Sequence, residues 1–241
     1  MPDVRWNKEY WTRRYDWSQK GEEWSSVWGS SSAQWFGSIL PRIRSFVPTG
    51  SLLEIATGFG RWTRFLATLC DHYYGVDISP ACIDHCRATF PVSHMEFFAN
   101  DGTSLSMVPD GSIDFAFSFD SLVHADASVI KAYVVQLVSK LSPKGTAFIH
   151  HSNLASLCSP AGDLHARDQT VSAQLFRDCV SAAGGTLLRQ EIVKWGQIEN
   201  LDCLSLFSRF GAYDAKPEIA TNNRFMEEAL YIGTYIAPWG P

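Results

Sequence analysis

Short apolar runs alternate with amphipathic segments from about residue 51 onward. This spacing is typical of buried strands separated by helices, and it predicts an α/β fold with a mainly parallel, doubly wound sheet covered on both faces. The last two runs are joined only by a short polar segment, which predicts a hairpin and an antiparallel last strand. The seven predicted strands are 52–56, 73–77, 95–99, 113–119, 146–151, 186–195 and 202–209.

Helix signals fill the segments between these strands. Ser79 suits the N-cap of the second helix, with Pro80 at its first position, and Gly184-Gly185 is a stop signal for the last one. We therefore predict helices at 61–70, 79–89, 127–140 and 172–183.

The first 47 residues follow a different pattern, in which Trp and Tyr recur at steps of three to four residues. That step is typical of short helices with one aromatic face. Pro41 and Pro48 are expected to bracket a helix that leads into the first strand. We divide the chain into an N-terminal helical cap or lid (1–47), a core (48–210) and a C-terminal extension packed on the core (211–241), within one structural domain.

Composition narrows the class of protein. The chain has 241 residues, of which 46% are hydrophobic, enough for one sizeable core. A net charge of −5 argues against nucleic acid or an anionic membrane as the main partner. The six cysteines include no CxxC pair, and no apolar leader or membrane span is visible, so we expect reduced thiols and a cytoplasmic location.

The most informative segment is 52–63, which reads as a strand, a glycine-bearing turn and a helix start. Glu54 lies inside this strand, and Asp77 ends the next one. A strand, a glycine turn and a carboxylate about 20 residues later form the layout of a nucleoside-cofactor site.

Four landmarks follow one another along the chain: Glu54 with Ala56-Thr57-Gly58-Phe59-Gly60, then Asp77, then Asn100-Asp101-Gly102, and then Asp114 to Asp120 followed by Ser121 to Asp126. In this order they resemble the class I S-adenosylmethionine-dependent methyltransferases, over about residues 50–210. Ala56 departs from the pattern, because the family most often has a glycine there. Arg61-Trp62 stand where a dinucleotide-binding dehydrogenase would have its third glycine.

The resemblance implies a Rossmann-like fold and S-adenosyl-L-methionine as cofactor, with S-adenosyl-L-homocysteine as product. Gly58 and Gly60 would admit the methionine group, Asp77 would accept the ribose hydroxyls, and Asp101 would accept the adenine amino group. The residues expected at the cofactor are Glu54, Ala56, Thr57, Gly58, Gly60, Trp62, Asp77, Ile78, Asn100, Asp101, Gly102, Phe119 and Leu122.

Histidines near the ends of the fourth and fifth strands are the candidates for catalysis. An alcohol acceptor must lose a proton, and histidine titrates near neutral pH. His150 or His151 is the predicted base, with Asp120 or His124 as its orienter, and only one of the adjacent pair can face the site because they point to opposite faces. This favours O-methylation. An N-methyltransferase acting on a small amine and an NAD-type oxidoreductase are the alternatives.

The acceptor is expected to be a small molecule, such as a sugar, a glycan precursor or a natural product, bound by Trp11, Tyr15, Trp24, Trp28 and Asn153. Arg61 and Arg167 are among the arginines that could serve a phosphate on it. No metal is predicted, although His165 and Asp163 leave a metal site with the histidines open. The spacing of Cys82, His85 and Cys86 is that of residues packed on one helix face. The oligomeric state is left open.

Overall fold

One twisted sheet of eight strands organises the chain. The computed structural model describes residues 3–158, 164–209, 211, 213 and 216–237. The strands are β1 (Thr49–Ile55), β2 (Cys70–Asp77), β3 (Met95–Ala99), β4 (Ile113–Ser118), β5 (Leu141–Ser152), β6 (Gly185–Trp195), β7 (Ile198–Arg209) and β8 (Glu218–Asn222).

The strand order is β3-β2-β1-β4-β5-β7-β6-β8. Strands β1 to β5 pair in parallel, and β7 runs antiparallel to both β5 and β6. The predicted Rossmann-like, mainly parallel sheet with an antiparallel late strand is confirmed. The sheet has eight strands and not seven, because β8 adds to β6 in parallel. Strand β8 has no apolar pattern that would predict it, because it is exposed at most positions and has a single large apolar residue, Ile219.

Eight α-helices pack around the sheet. The helix expected at 61–70 is shorter than predicted, because a 3-10 turn at Ala67–Leu69 follows it and β2 already begins at Cys70. Within the described residues, no helix is long and apolar enough to cross a membrane. The helices are α1 (Val4–Glu9), α2 (Ser31–Gln34), α3 (Leu40–Ile43), α4 (Thr63–Leu66), α5 (Pro80–Thr89), α6 (Ala127–Lys140), α7 (Ala173–Ala182) and α8 (Phe225–Tyr231).

The N-terminal segment is helical but irregular. A π turn at Tyr10–Arg14 and 3-10 turns at Trp17–Gln19 and Glu22–Trp28 connect α1 to α2. Pro41 is the second residue of α3 and Pro48 follows the end of that helix, as expected, but α3 continues directly from a π turn at Trp35–Ile39. Proline has no N–H and crowds the preceding turn, which fits the widened turn before it.

The sheet separates two apolar layers because successive side chains on a strand point to opposite faces. Leu52 lies in a layer with Trp35 from the N-terminal segment, whereas Leu53 lies in a layer with Phe176 from α7. The carboxyl ends of the parallel strands meet at one edge of the sheet, where ligands bind in such folds.

Candidate functional site

The turn after β1 holds three residues in the left-handed region of backbone space. The φ angles are +64° at Ala56, +54° at Gly58 and +87° at Gly60. Glycine adopts this region freely, whereas alanine is strained there by about 1–2 kcal/mol. This geometry explains why glycine is the usual residue at the position of Ala56. A Cβ on Gly60 would lie 2.6 Å from the Phe90 ring, so Gly60 is needed for packing against Phe90.

Asp77 ties this turn to the start of α5. One carboxylate oxygen accepts the Gly58 N–H at 2.8 Å, and the other accepts the Ser79 N–H at 2.8 Å. Burial raises the pKa of Asp77 to about 6, against the opposing effect of these two bonds. Each carboxylate oxygen can accept a second hydrogen bond, so Asp77 can still bind a hydroxyl from the cavity it lines.

Glu54 lies beneath the turn and away from the cavity wall. Its Oε2 accepts hydrogen bonds from the Tyr73 hydroxyl at 2.5 Å and the Thr63 hydroxyl at 2.8 Å. Burial raises the pKa of Glu54 to about 8, although both hydrogen bonds oppose the shift. The side chain therefore joins β1 to β2 and α4, and it lines neither of the two cavities described below.

The raised pKa gives Glu54 a measurable signature. Since the folded pKa is above the ordinary value of 4.5, its favourable effect on stability is lost as the pH rises towards about 8. Glu54→Gln, which keeps the accepting oxygen, should gain stability over the native chain by roughly 1.4 kcal/mol for each pH unit in that interval. Urea unfolding of both proteins across the interval tests this, and a constant difference between them would contradict a protonated Glu54.

A first cavity of about 100 Å³ lies beside the turn. This volume is below the roughly 300–1,000 Å³ of common ligand pockets, because the N-terminal segment covers the cavity with side chains that include Trp17 and Lys20. The residues expected at the cofactor that line it are Ala56, Thr57, Gly58, Trp62, Asp77, Ile78, Gly102, Phe119 and Leu122.

Asn100 and Asp101 are occupied by their own loop and do not line this cavity. The Asn100 amide accepts the Gly102 N–H at 3.0 Å and donates to the Ser104 carbonyl at 2.9 Å. Asp101 accepts the N–H groups of Thr103 at 2.8 Å and Ser104 at 2.7 Å, and these bonds hold its pKa below the usual value. The two side chains shape the turn that presents Gly102 to the cavity.

His150 is held in a buried network. Its Nδ1 accepts the Asp120 N–H at 3.0 Å, so the other ring nitrogen carries the proton and donates to Asp202 at 3.0 Å. Arg167 binds both Asp202 oxygens at 2.7 Å. Burial would raise the pKa of Asp202, but Arg167 and His150 hold it well below its usual range. Both nitrogens of His150 are occupied, so the prediction that it acts as base is not supported by this geometry.

His151 lies on the opposite face of the sheet. Its ring stacks on Phe176 with centroids 4.2 Å apart, and its nitrogens lie 2.8 Å from the Ser152 carbonyl and 2.8 Å from the Ser205 hydroxyl. Burial lowers its pKa to about 4. The prediction that His151 acts as base is not supported either, because the sheet separates it from both cavities.

Asn153 was expected at the substrate, but the structure places it in a turn. Its Oδ1 accepts the Ala173 N–H at 2.7 Å and its Nδ2 donates to the Asn200 carbonyl at 2.8 Å. The side chain therefore fixes the start of α7, and it lines neither cavity.

A second cavity of about 570 Å³ adjoins the first. Its wall is mostly aromatic and includes four of the residues expected at the substrate: Trp11, Tyr15, Trp24 and Trp28. The two cavities share Trp11, Trp24, Asp120 and His124. A group in one cavity can therefore be brought close to a group in the other.

His124 lies on this shared wall with one ring nitrogen available. Its Nδ1 is 3.0 Å from the Ala166 carbonyl oxygen, which can only accept, so Nδ1 carries the proton and Nε2 keeps its lone pair. Burial lowers the pKa of His124, and nearby Arg167 lowers it further. The ring is therefore neutral at pH 7 and able to accept a proton.

Arg61 and Arg167 are both engaged in ion pairs. Arg61 binds Asp120 at 2.9 Å, and its guanidinium lies over the rings of Trp24 at 4.9 Å and Trp62 at 4.4 Å. Its side chain is 5% exposed. Neither arginine is placed as a free cation for a phosphate.

Among the described residues, no three His, Cys, Asp or Glu side chains are grouped to hold a metal ion. Asp163 lies outside the described residues. All six cysteines are free thiols, and burial raises the pKa of Cys86 to about 12.

The sequence did not point to Asn7, which lines the first cavity. Its amide donates to the His124 carbonyl at 3.1 Å and accepts from the Trp11 indole at 3.0 Å. The available signal was its position four residues before Trp11, which places both on one helical face.

Comparisons with known proteins agree with this architecture. Residues 52–145 match a family model described as a methyltransferase domain. A comparison with curated protein sequences finds no match. Among solved structures, the PH0226 protein of Pyrococcus horikoshii OT3 shares 18% identity, with a TM-score of 0.58 over 83% of this chain and 95% of that chain.

Two further solved structures share the fold. The N-methyltransferase NodS of Bradyrhizobium japonicum WM9, in complex with S-adenosyl-L-homocysteine, is 20% identical, with a TM-score of 0.56 over 73% of this chain and 86% of that chain. A putative methyltransferase of Haloferax volcanii, in complex with the Trm112 activator, is 15% identical, with a TM-score of 0.57 over 83% of this chain and 100% of that chain. Residues 52–145 thus resemble a methyltransferase domain, and the sheet has the fold that these solved structures share.

Proposed function

We propose that this enzyme transfers the methyl group of S-adenosylmethionine to a hydroxyl of a small molecule held in the second cavity. His124 acts as the general base. The observation that carries the proposal is the position of His124, with a free Nε2, on the wall that the two cavities share.

The first cavity has the groups that the cofactor requires. Asp77 keeps hydrogen-bonding capacity for a ribose, and the left-handed turn brings the Gly58 backbone to the wall beside it. Ile78 and Leu122 provide apolar surface for an adenine. When bound, the cofactor supplies an activated methyl group, so the main task of the protein is to position the acceptor.

The second cavity suits a polar ring or chain with an exposed hydroxyl. Aromatic walls stack on the apolar faces of sugars and natural products, and they exclude water from the reacting atoms. The hydroxyl would lose its proton to His124 Nε2, and its oxygen would take up the methyl group. An amine that arrives neutral would not need this base, which is why the free Nε2 of His124 favours oxygen over nitrogen.

A transfer assay tests this proposal. The enzyme is given S-adenosylmethionine with a labelled methyl group and a panel of sugars, nucleotide sugars, phenols and matched amines, and mass spectrometry locates the methyl group in each product. We expect O-methylated products. Products methylated only on nitrogen would overturn the hydroxyl assignment and leave the methyltransferase itself in place.

Asp77→Ala should weaken the binding of S-adenosylhomocysteine by about 1–3 kcal/mol, because hydrogen bonds to the ribose are lost. Calorimetric titration of the native and variant enzymes measures the difference. Asp71→Ala is the matched control, since Asp71 lies on the same strand but is exposed. Equal affinity of the Asp77 variant and the native enzyme would remove Asp77 from the cofactor site.

A further inference from the structure

The charges around the second cavity leave one carboxylate without a cationic partner. Asp120 pairs with Arg61, and Arg167 pairs with Asp202. Glu23 also lines the cavity, and it forms no ion pair with any of the described residues.

One oxygen of Glu23 is also unused in hydrogen bonding. Its Oε1 accepts the Tyr15 hydroxyl. Its Oε2 is shielded from solvent and has no hydrogen-bond partner among the described residues. A buried acceptor without a partner is costly, so this atom marks a place where a ligand donor would be stabilised.

Aromatic rings surround this carboxylate. The Tyr15 ring lies 5.2 Å from Trp11 and 5.1 Å from Trp24, centroid to centroid, and all three line the cavity. The faces of such rings carry partial negative charge and attract organic cations. The Glu23 carboxylate and the aromatic rings therefore both favour a cationic group on the ligand.

From these contacts we infer that the acceptor of the proposed reaction carries a protonated amine or quaternary ammonium group, which lies against Glu23 within the aromatic wall. The inference rests on the proposed function, since it concerns the same cavity, and it places the cationic group apart from the hydroxyl that faces His124. The substrate class is then an amino alcohol, of which an amino sugar is one form.

Other acceptors fit the charges less well. A carboxylate or phosphate would be repelled by Glu23, and the arginines that could offset it are already paired with Asp120 and Asp202. A neutral sugar could donate to Glu23 but would leave its charge uncompensated. The Trp28 indole N–H, which is buried and has no hydrogen-bond partner among the described residues, offers a donor to an oxygen on the same ligand.

A matched pair of probes separates charge from shape. Choline and its carbon isostere 3,3-dimethylbutan-1-ol have nearly the same size and both carry a hydroxyl, but only choline is charged. Binding of each is titrated by tryptophan fluorescence in the presence of saturating S-adenosylhomocysteine. We expect choline to bind the native enzyme at least about 10-fold more tightly than the isostere.

Glu23→Gln should reduce this preference several-fold, to the part that the aromatic rings alone provide, and leave affinity for the neutral isostere unchanged. Glu22→Gln is the matched control, because it removes the same charge from the neighbouring residue, which pairs with Arg64 and does not line the cavity. Equal affinity of the two probes for the native enzyme, no choline binding, or a preference of undiminished size in Glu23→Gln would each overturn the inference. Failure to bind S-adenosylhomocysteine would instead overturn the proposed function.

Discussion

Replacing His124 by glutamine should lower kcat for methyl transfer by about 10²- to 10⁴-fold, the usual contribution of a positioned general base. Glutamine keeps a polar side chain of similar length but cannot take up the proton of the hydroxyl. Affinity for S-adenosylhomocysteine should change little, because His124 lies on the wall between the cavities and not under the cofactor turn. The measurement is kcat with the best acceptor from the transfer assay.

The pH profile distinguishes a base from a structural residue. Activity should fall at acid pH as His124 becomes protonated. The midpoint of this fall should lie below 6.5, the ordinary pKa of histidine, because burial lowers the pKa of His124. His72→Gln is the control, since His72 is 36% exposed and pairs with Glu96 on the far strand of the sheet. A kcat for His124→Gln within about three-fold of the native value would contradict the assignment.

Asp202→Ala should lower the free energy of unfolding by about 3–5 kcal/mol, the typical effect of removing one member of a buried ion pair. Asp202 is fully buried and binds both Arg167 and His150. Its loss leaves a buried guanidinium with one anion fewer and releases the ring that holds the Asp120 backbone. Urea unfolding, followed by circular dichroism, measures the change.

Glu218→Ala provides the matched control for this prediction. Glu218 also pairs with an arginine on a neighbouring strand, Arg189, but the two side chains are 62% and 48% exposed. Exposed pairs contribute only about 0–1 kcal/mol. If both variants lost the same small amount, the network around Asp202 would have no special role in stability.

The central strands and helices could be predicted because their patterns are local. Hydrophobic runs mark β1 to β7, and Ser79 caps α5 through its hydroxyl, which accepts the Cys82 N–H. Elements set by distant packing were missed. The Pro143-Lys144-Gly145 segment reads as a turn, yet it lies within β5, where the register against β4 shifts.

The same difference between local patterns and distant contacts applies to the candidate site. The glycine turn and Asp77 follow from adjacent residues, and both line the first cavity. The histidines could not be sorted from the sequence alone. Alternation along a strand places His150 and His151 on opposite faces, but the partner that occupies His150 is Asp202, on a strand 52 residues later. The carboxylate of Asp101 accepts N–H groups of its own loop instead. A sequence alone does not distinguish an aspartate in such a turn from one that contacts a ligand.

The position of the N-terminal segment has a consequence for kinetics. Trp17 lies over Gly58, and Trp11 and Trp24 belong to the walls of both cavities. If this segment covers a bound cofactor in the same way, the cofactor would enter while the segment is displaced, and the acceptor cavity would be complete after it returns. We therefore expect ordered binding, with the cofactor first and S-adenosylhomocysteine released last, which product-inhibition kinetics would test.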